Sequence, residues 1–550
     1  MLMPSSQPRV GVVGAGFAGL AAAHALVRRG FQVVLFEASS SVGGRASADP
    51  GPHQRAGDYW PSGAPFLPGP EWIHGTQRSP IYKLAAAYGL LDGNEGSRAQ
   101  LHAREGADST AEILRDAAGL EIDRAEFDAG VAAASSAVRD CDRVARDPAF
   151  AAESSITRAE SVGAAVRGLS RAGDFGRGVE WRLLQEACYC GCPDAGDLRL
   201  DAFGIYDELP GGDVPFASGF PELARRLGAR LVELGGALRL NSPVDLICWG
   251  DELTSTGARV VASGEELDFD HVLVTVSLGV LQRSCERAAA DSRTGRALRF
   301  SPPLPSKRAA VVARCGWGLV EKLHLRDDDT DSGGGGVAPP LRVAPGATGE
   351  LAPWVRGVYQ LSATADGALR AWVVGEHAPR ALAVEPDGAA IGAAARGLLT
   401  NLRRTPVGSV AVAATRWAEH ERCLGSYSYI ARNSSAGDIE VLASPLPEGS
   451  VAPRLLFAGE ATHSLQYATT HGAFNSGLRE AARLVALYSG KVRAACTRGG
   501  AHHPAEEAVF DLDGPPENYL GWDPRRGPCA LEARPAAAAA PPPRAACSTT

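Results

Sequence analysis

Residues 10–13 form a short, almost wholly apolar run, the kind of segment that a parallel sheet buries on both faces. A glycine-rich stretch, 14–19, follows it, and residues 20–29 are alanine-rich with apolar positions at helical spacing. Gly30 closes that helix, and residues 32–36 (Q-V-V-L-F) read as the next strand. The pattern therefore predicts strand, helix and strand within about 30 residues, the length of one parallel crossover unit. Residues 272–276 (V-L-V-T-V) and 455–458 read as further buried strands, and 111–146 and 181–187 as helical. Strands of one sheet are thus spread along the chain, with a second domain expected between them. Three segments interrupt the patterning. Residues 327–336 are acidic and then glycine-rich, which predicts a solvated loop. Residues 50–70 read as an extended connection, and the tail beyond 493 ends in proline and alanine, a composition that cannot build a packed core.

Composition narrows the function classes. A chain of 550 residues exceeds one core and suggests two or three domains. The net charge of −8 argues against nucleic acid, which needs a concentrated basic face. Eleven cysteines, an odd number scattered over the chain, fit a reducing compartment rather than a disulfide framework. Cys188, Cys190 and Cys192 have no second ligand pair at zinc spacing, so no metal is expected. The N-terminus lacks an apolar signal core and no stretch reaches the roughly 20 apolar residues that span a bilayer. The last residues carry no peroxisomal tripeptide, and cytoplasm is the expected location, with peroxisomal import through a partner or another signal left open.

The glycine-rich stretch carries the first chemistry. Gly14-Ala15-Gly16-Phe17-Ala18-Gly19 matches G-x-G-x-x-G between a predicted strand and a predicted helix. The first glycine makes a tight turn, the second lets backbone amides approach a pyrophosphate, and the third permits close helix–strand packing. The helix N-terminus then presents its positive dipole to the phosphates. Glu37 closes the second strand, where a carboxylate accepts hydrogen bonds from ribose hydroxyls. The pattern predicts a dinucleotide fold.

The segment after Glu37, Ala38-Ser39-Ser40-Ser41-Val42-Gly43-Gly44-Arg45, resembles the E-x(5)-G-G-R signature of FAD-dependent amine oxidases and desaturases. Residues 71–75 (E-W-I-H-G), 423–429 (C-L-G-S-Y-S-Y), 457–463 (F-A-G-E-A-T-H) and 467–473 (Y-A-T-T-H-G-A) resemble polyamine oxidases in family order, as does 273–281. The chain departs from that pattern at Ser277, where the family usually has proline, and in the loop after Lys322. The resemblance implies an α/β fold: a doubly wound FAD-binding, Rossmann-like domain built from discontinuous segments, with an inserted α+β substrate-binding domain. The segments expected are 8–95, 207–300 and 445–492 for FAD, 96–206 and 301–444 for substrate, and 493–550 as a disordered tail.

It also implies roles. Gly14, Ala15, Gly16, Gly19, Glu37 and Arg45 would hold the dinucleotide, and Val244 would give main-chain contacts to the adenine. Glu460 would contact the ribityl–phosphate portion, Thr469 and Thr470 the pyrimidine end of the flavin, and Trp72 and Trp417 the ring. Lys322 is the catalytic candidate: in relatives the corresponding lysine holds a water against flavin N5, and a buried ammonium loses its charge readily. His74, Glu71 and Asp213 are candidates for binding a cationic substrate, and Tyr427 or Tyr429 for walling its tunnel. The activity implied is oxidation of a secondary amine of a polyamine, with O2 as the second substrate and no nucleic acid, membrane or obligate protein partner. Two other readings stay open on sequence alone: another enzyme of the superfamily, such as a methyl-lysine demethylase or a desaturase, and a flavin-binding scaffold without turnover.

Overall fold

The computed structural model describes residues 7–47, 54–56, 66, 68–91, 113–250, 257–289, 298–327, 341–346, 350–364, 368–488 and 509–510. Arg9–Val13, Phe17–Arg28 and Gln32–Phe36 form the expected crossover, and the two strands pair in parallel. Ala237–Arg239, His271–Val274 and Leu455–Phe457 extend the same sheet in parallel. The order across it is 455–457, 271–274, 9–13, 32–36, 237–239. Sequence-remote segments therefore meet in a mixed α/β fold. Strand alternation explains the apolar runs. Val10, Val12, Val33, Leu35, Leu273 and Leu456 face the helices Phe17–Arg28, Gly219–Glu233 and Thr470–Leu487. Val13, Phe36, Val272, Val274, Leu455 and Phe457 face the other way, onto a four-stranded sheet that includes Val244–Cys248 and Ala258–Ala262. A sheet covered on both faces has no polar side, which is why its strands read as unbroken hydrophobic runs.

A second, seven-stranded sheet is mostly antiparallel, with Glu321–Asp327 flanked by Leu369–Val373 and Val410–Ala414. Its inner face packs Leu323, Leu325, Ala371 and Val373 onto the Gly388–Arg403 helix.

Four expectations change. The stretch predicted as one helix over 111–146 begins instead with the strand Ile113–Asp116, and the helix is confined to Arg124–Arg146. Gly119 adopts φ +86°, and the Asp116 carboxylate accepts from the amides of Ala118 and Leu120, so a turn breaks the run. Asp123 then caps the helix through the Glu126 amide at 3.0 Å. Within the expected connection 50–70, Gln54–Ala56 pairs with Val410–Ala414, and Phe66 packs against Ala411 and Ala413. Asp327 does not start a loop: it ends a strand, buried, with Arg403 at 2.6 Å, and 328–336 lie outside the described residues. In the tail, Val509 and Phe510 are buried, and Phe510 stacks on His24 with centroids 4.9 Å apart. These two apolar side chains find a core on the Phe17–Arg28 helix, contrary to an unpacked tail. The remainder beyond 493 is outside the described residues.

Ser277 has a local reason. Its hydroxyl accepts from the Val280 amide at 3.2 Å and donates to the Cys423 carbonyl at 2.8 Å, so it caps the Leu278–Ala289 helix and fastens a neighbouring loop.

Candidate active site

Gly14 turns the chain at φ +104°, a conformation open to glycine, and its amide donates to the Phe36 carbonyl at 2.8 Å. A Cβ on Gly19 would stand 1.9 Å from the Gly14 carbonyl oxygen, so the third glycine is there for packing. Gly16 differs: a Cβ there would meet nothing within 4 Å. The turn thus leaves clear space in front of the helix N-terminus, which suits a pyrophosphate. The second glycine pair closes over the first, since Gly43 donates its amide to the Ala15 carbonyl at 2.8 Å.

Glu37 is 7% exposed, and its two oxygens accept from the Ala15 and Ser39 amides, each at 2.8 Å. Each carboxylate oxygen keeps a further lone pair for a hydroxyl. The Glu37 amide donates to the Arg239 carbonyl and the Ser242 amide to the Glu37 carbonyl, which draws the start of the Val244–Cys248 strand to the same place. Val244 therefore lies beside the ribose-binding candidate although 207 residues separate them in sequence.

Arg45 reaches the Glu460 carboxylate at 2.9 Å and the Ser426 carbonyl at 2.7 Å, and lies 5.0 Å over the Trp317 ring. Glu460 also accepts from the Ser428 hydroxyl at 2.5 Å and the Ala468 amide at 2.8 Å. Thr469 caps the Thr470–Leu487 helix through the Gly472 amide at 3.0 Å, so Thr470 opens a second helix N-terminus near Glu460. A cleft lined by Arg45, Ser277, Gly459 and Glu460 opens at the carboxyl ends of the parallel strands, where open α/β sheets take their ligands.

Lys322 sits on the seven-stranded sheet directly opposite Trp372, and His324 opposite Arg370. Two-residue alternation brings all four side chains to one face, away from the Leu323 core. Lys322 is 3% exposed, and its ammonium lies 2.8 Å from Glu71, donates to the Gly69 carbonyl and is 4.7 Å from the Trp372 ring centre. Burial drives its pKa below the usual lysine value, and the Glu71 charge works in the opposite direction. Glu71 also pairs with Arg370. Burial opposes its ionisation, yet Lys322 and Arg370 outweigh that and hold its pKa at about 2. Glu71 is therefore buried against two cations and does not face solvent.

The other candidates divide. His74 and Asp213 meet at 2.9 Å across the short ribbon formed by Trp72–Ile73 and Val214–Pro215, and both stay about half exposed. Tyr427 packs in a cluster with Trp181, Cys188, Tyr359 and Trp372, on the Lys322 side of the sheet, and donates to the Cys188 carbonyl. Tyr429 is built into the helical layer with Val138, Leu183 and Phe203, and its hydroxyl donates to Asp197. Of the two tyrosines, the structure places only Tyr427 beside the lysine's aromatic neighbours. Trp417 is buried, stacked on His420 at 5.7 Å. Among the described residues, no His, Cys, Asp and Glu group has metal-binding geometry, and no helix is long and apolar enough to cross a membrane.

Sequence reasoning missed Arg370, Trp372 and Glu321. The alternation in L-R-A-W-V puts Arg370 and Trp372 on one face, but nothing local says that this face meets Lys322. Glu321 lies on the opposite side of its strand, fully buried, accepting from the Thr415 hydroxyl and the Ala418 amide. Burial raises its pKa to about 7.

Clear space at Gly16 in front of a helix N-terminus, the buried Glu37 carboxylate beside that turn and the buried Lys322 on a separate sheet suit a dinucleotide-dependent oxidoreductase. The comparisons fix the family. Residues 17–485 match the model described as flavin containing amine oxidoreductase, and the chain belongs to that family. Its cofactor is FAD. The chain is 32% identical over 548 residues to "Polyamine oxidase 1" of Oryza sativa subsp. japonica, covering 91% of this chain and all of that protein. It is 29% identical to the human "Peroxisomal N(1)-acetyl-spermine/spermidine oxidase", over 88% of this chain and 96% of that one. A "Lysine-specific histone demethylase 1 homolog 1" of Arabidopsis thaliana is 28% identical, but the match takes in 52% of its length.

Proposed function

We propose that this enzyme oxidises a carbon–nitrogen bond at a secondary nitrogen of a polyamine, and that spermine, spermidine or an N1-acetyl derivative is its substrate. The amine, O2 and water give an aldehyde, a shorter amine and H2O2. Bound FAD supplies the two-electron acceptor. The observation that carries the reading is the buried Lys322, presented from the sheet among Trp372, Tyr427 and Tyr359. Gly14, Ala15, Gly16 and Gly19 would hold the pyrophosphate, with Glu37 and Val244 toward the adenosine and Arg45, Glu460, Thr469 and Thr470 toward the flavin half. Trp72 and Trp417 would flank the ring. Lys322 would hold the water that hydrolyses the imine, since an ammonium has three N–H groups and two are already engaged, by Glu71 and Gly69. The His74 and Asp213 pair offers a polyamine ammonium a carboxylate at the rim, and the buried aromatics suit its methylene chain.

The proposed domains, 8–95 with 207–300 and 445–492 for FAD and 96–206 with 301–444 for substrate, are supported by the sheets. Every strand of the parallel sheet falls in the first set, and the seven-stranded sheet draws on the second, apart from Gln54–Ala56. Cytoplasm is the proposed location, with cell fractionation as the check, since the human relative is named peroxisomal.

A peroxide-coupled assay of the purified protein against spermine, spermidine and their N1-acetyl forms, with monoamines as controls, tests the reading. Turnover should appear with the polyamines, and product masses should show which side of the nitrogen is cleaved. Flavin that stays oxidised under anaerobic conditions with every one of these amines would refute it and turn attention to methyl-lysine peptides.

A further inference from the structure

The register of the seven-stranded sheet places two cations, Lys322 and Arg370, on one face, and a single carboxylate from a different segment lies against both. Glu71 precedes the Trp72–Ile73 strand, and its own carbonyl accepts from the Phe216 amide at 2.7 Å, so its backbone is fixed independently of the ion pairs. Its side chain is 6% exposed, that of Lys322 4% and that of Arg370 15%. Water does little to screen charges at that depth. We infer that Glu71 is a positioning residue: clamped by Arg370, its carboxylate fixes the Lys322 ammonium in place and keeps the proton on it, and it does not serve as a ligand for substrate.

Burying an ammonium carries a cost that is met only by a paired anion with good geometry. Among the described residues, the charged, titratable and aromatic partners of the Lys322 ammonium come from three segments. Glu71 and the Gly69 carbonyl come from the preceding connection, Arg370 and Trp372 from the adjacent strand, and Cys188 from the Asp174–Cys190 helix. His324 is the other titratable group near Glu71. The Cys188 thiol, pushed up to about 12 by burial, is neutral at ordinary pH. Glu71 is then the one anion at ordinary pH among these partners, and Arg370 is the cation that opposes the lysine's charge. A carboxylate held by two cations is also poorly placed to take a third from a polyamine, which leaves that task to the His74 and Asp213 rim.

The chain carries only four lysines, Lys83, Lys307, Lys322 and Lys491, so the charge of Lys322 can be read directly. Protein labelled with 13C at lysine Cε should give four resolved titrations by NMR, with Lys322 assigned by its loss in Lys322→Met. In Glu71→Gln, the Lys322 midpoint should move to lower pH, because Arg370 then acts unopposed. In Arg370→Gln it should move to higher pH, because the opposing cation is gone. Opposite signs from two substitutions at one site cannot come from general loosening. A Lys322 midpoint that stays put in Glu71→Gln, or moves the same way in both variants, overturns the inference. Steady-state kinetics give the second readout: Glu71→Gln should lower kcat and leave polyamine KM within about twofold, whereas a rise in KM alone makes Glu71 a substrate ligand and overturns the inference. The inference rests on Lys322 acting in turnover, and that is tested separately. Unchanged kcat in Lys322→Met would remove the catalytic reading, while the titrations would still report the ion triad.

Discussion

Gly16 and Gly19 lie three residues apart in one motif, yet the structure predicts opposite consequences for replacing them by alanine. At Gly16 the backbone is at φ −71° and ψ −179°, which alanine adopts freely, and the added Cβ meets no protein atom within 4 Å. Restricting the unfolded chain should stabilise by about 0.4–1 kcal/mol, and the poorer fit of alanine at a helix N-cap offsets much of that. The flavin-free protein should therefore melt within about 1 kcal/mol of the parent. The cost falls on the cofactor, because the methyl occupies the space through which a pyrophosphate reaches the amides. Losing one such hydrogen bond to a charged group is worth about 1.5–3 kcal/mol, or roughly 10- to 100-fold in Kd. At Gly19 the Cβ would stand 1.9 Å from a carbonyl oxygen, and two backbone segments must part. That should cost about 3 kcal/mol with or without FAD. Thermal melts of flavin-stripped protein and quenching of FAD fluorescence on titration separate the two terms. Gly16→Ala binding FAD as tightly as the parent would refute the pyrophosphate assignment, and an unshifted melt in Gly19→Ala would refute the packing argument.

Two further outcomes follow from buried charge. Glu321 has a folded-state pKa of about 7 against 4.5 when unfolded, because burial disfavours its carboxylate. The stability that comes with its protonated form is fully present below pH 4.5 and lost as pH rises through 7. Relative to Glu321→Gln, the parent should lose about 3 kcal/mol between those limits, and parallel stability curves from urea unfolding would refute this. Arg479 ties the Thr470–Leu487 helix to the Thr462 carbonyl at 2.7 Å and the Phe457 carbonyl at 3.0 Å, and its charge is met by its helix neighbour Glu480 at 2.6 Å, all buried. Arg479→Met should cost about 3–5 kcal/mol in urea unfolding and loosen the segment that carries Glu460; a loss under 1 kcal/mol would show the tether to be dispensable.

What the sequence by itself determined is everything whose signal is local. The crossover over 9–36, the glycine turn, Glu37 at its expected place and the family order of the later motifs all follow from residues near one another in the chain. Each rests on strand alternation, helical periodicity or a fixed motif spacing. The same local logic failed at 111–146, where the alanine-rich pattern outweighed Gly119 and hid a strand whose partner lies more than 200 residues away. Tertiary structure decided which side chains meet. His74 reaches Asp213 because two short strands pair, and Glu37 reaches the Val244 strand through backbone bonds to 239–242. Lys322 finds Glu71 and Arg370 because antiparallel register sets Arg370 opposite His324 and a separate connection lays Glu71 across both cations. Register and connection are properties of the assembled sheet, and a charge on one strand carries no local trace of the charge that will face it.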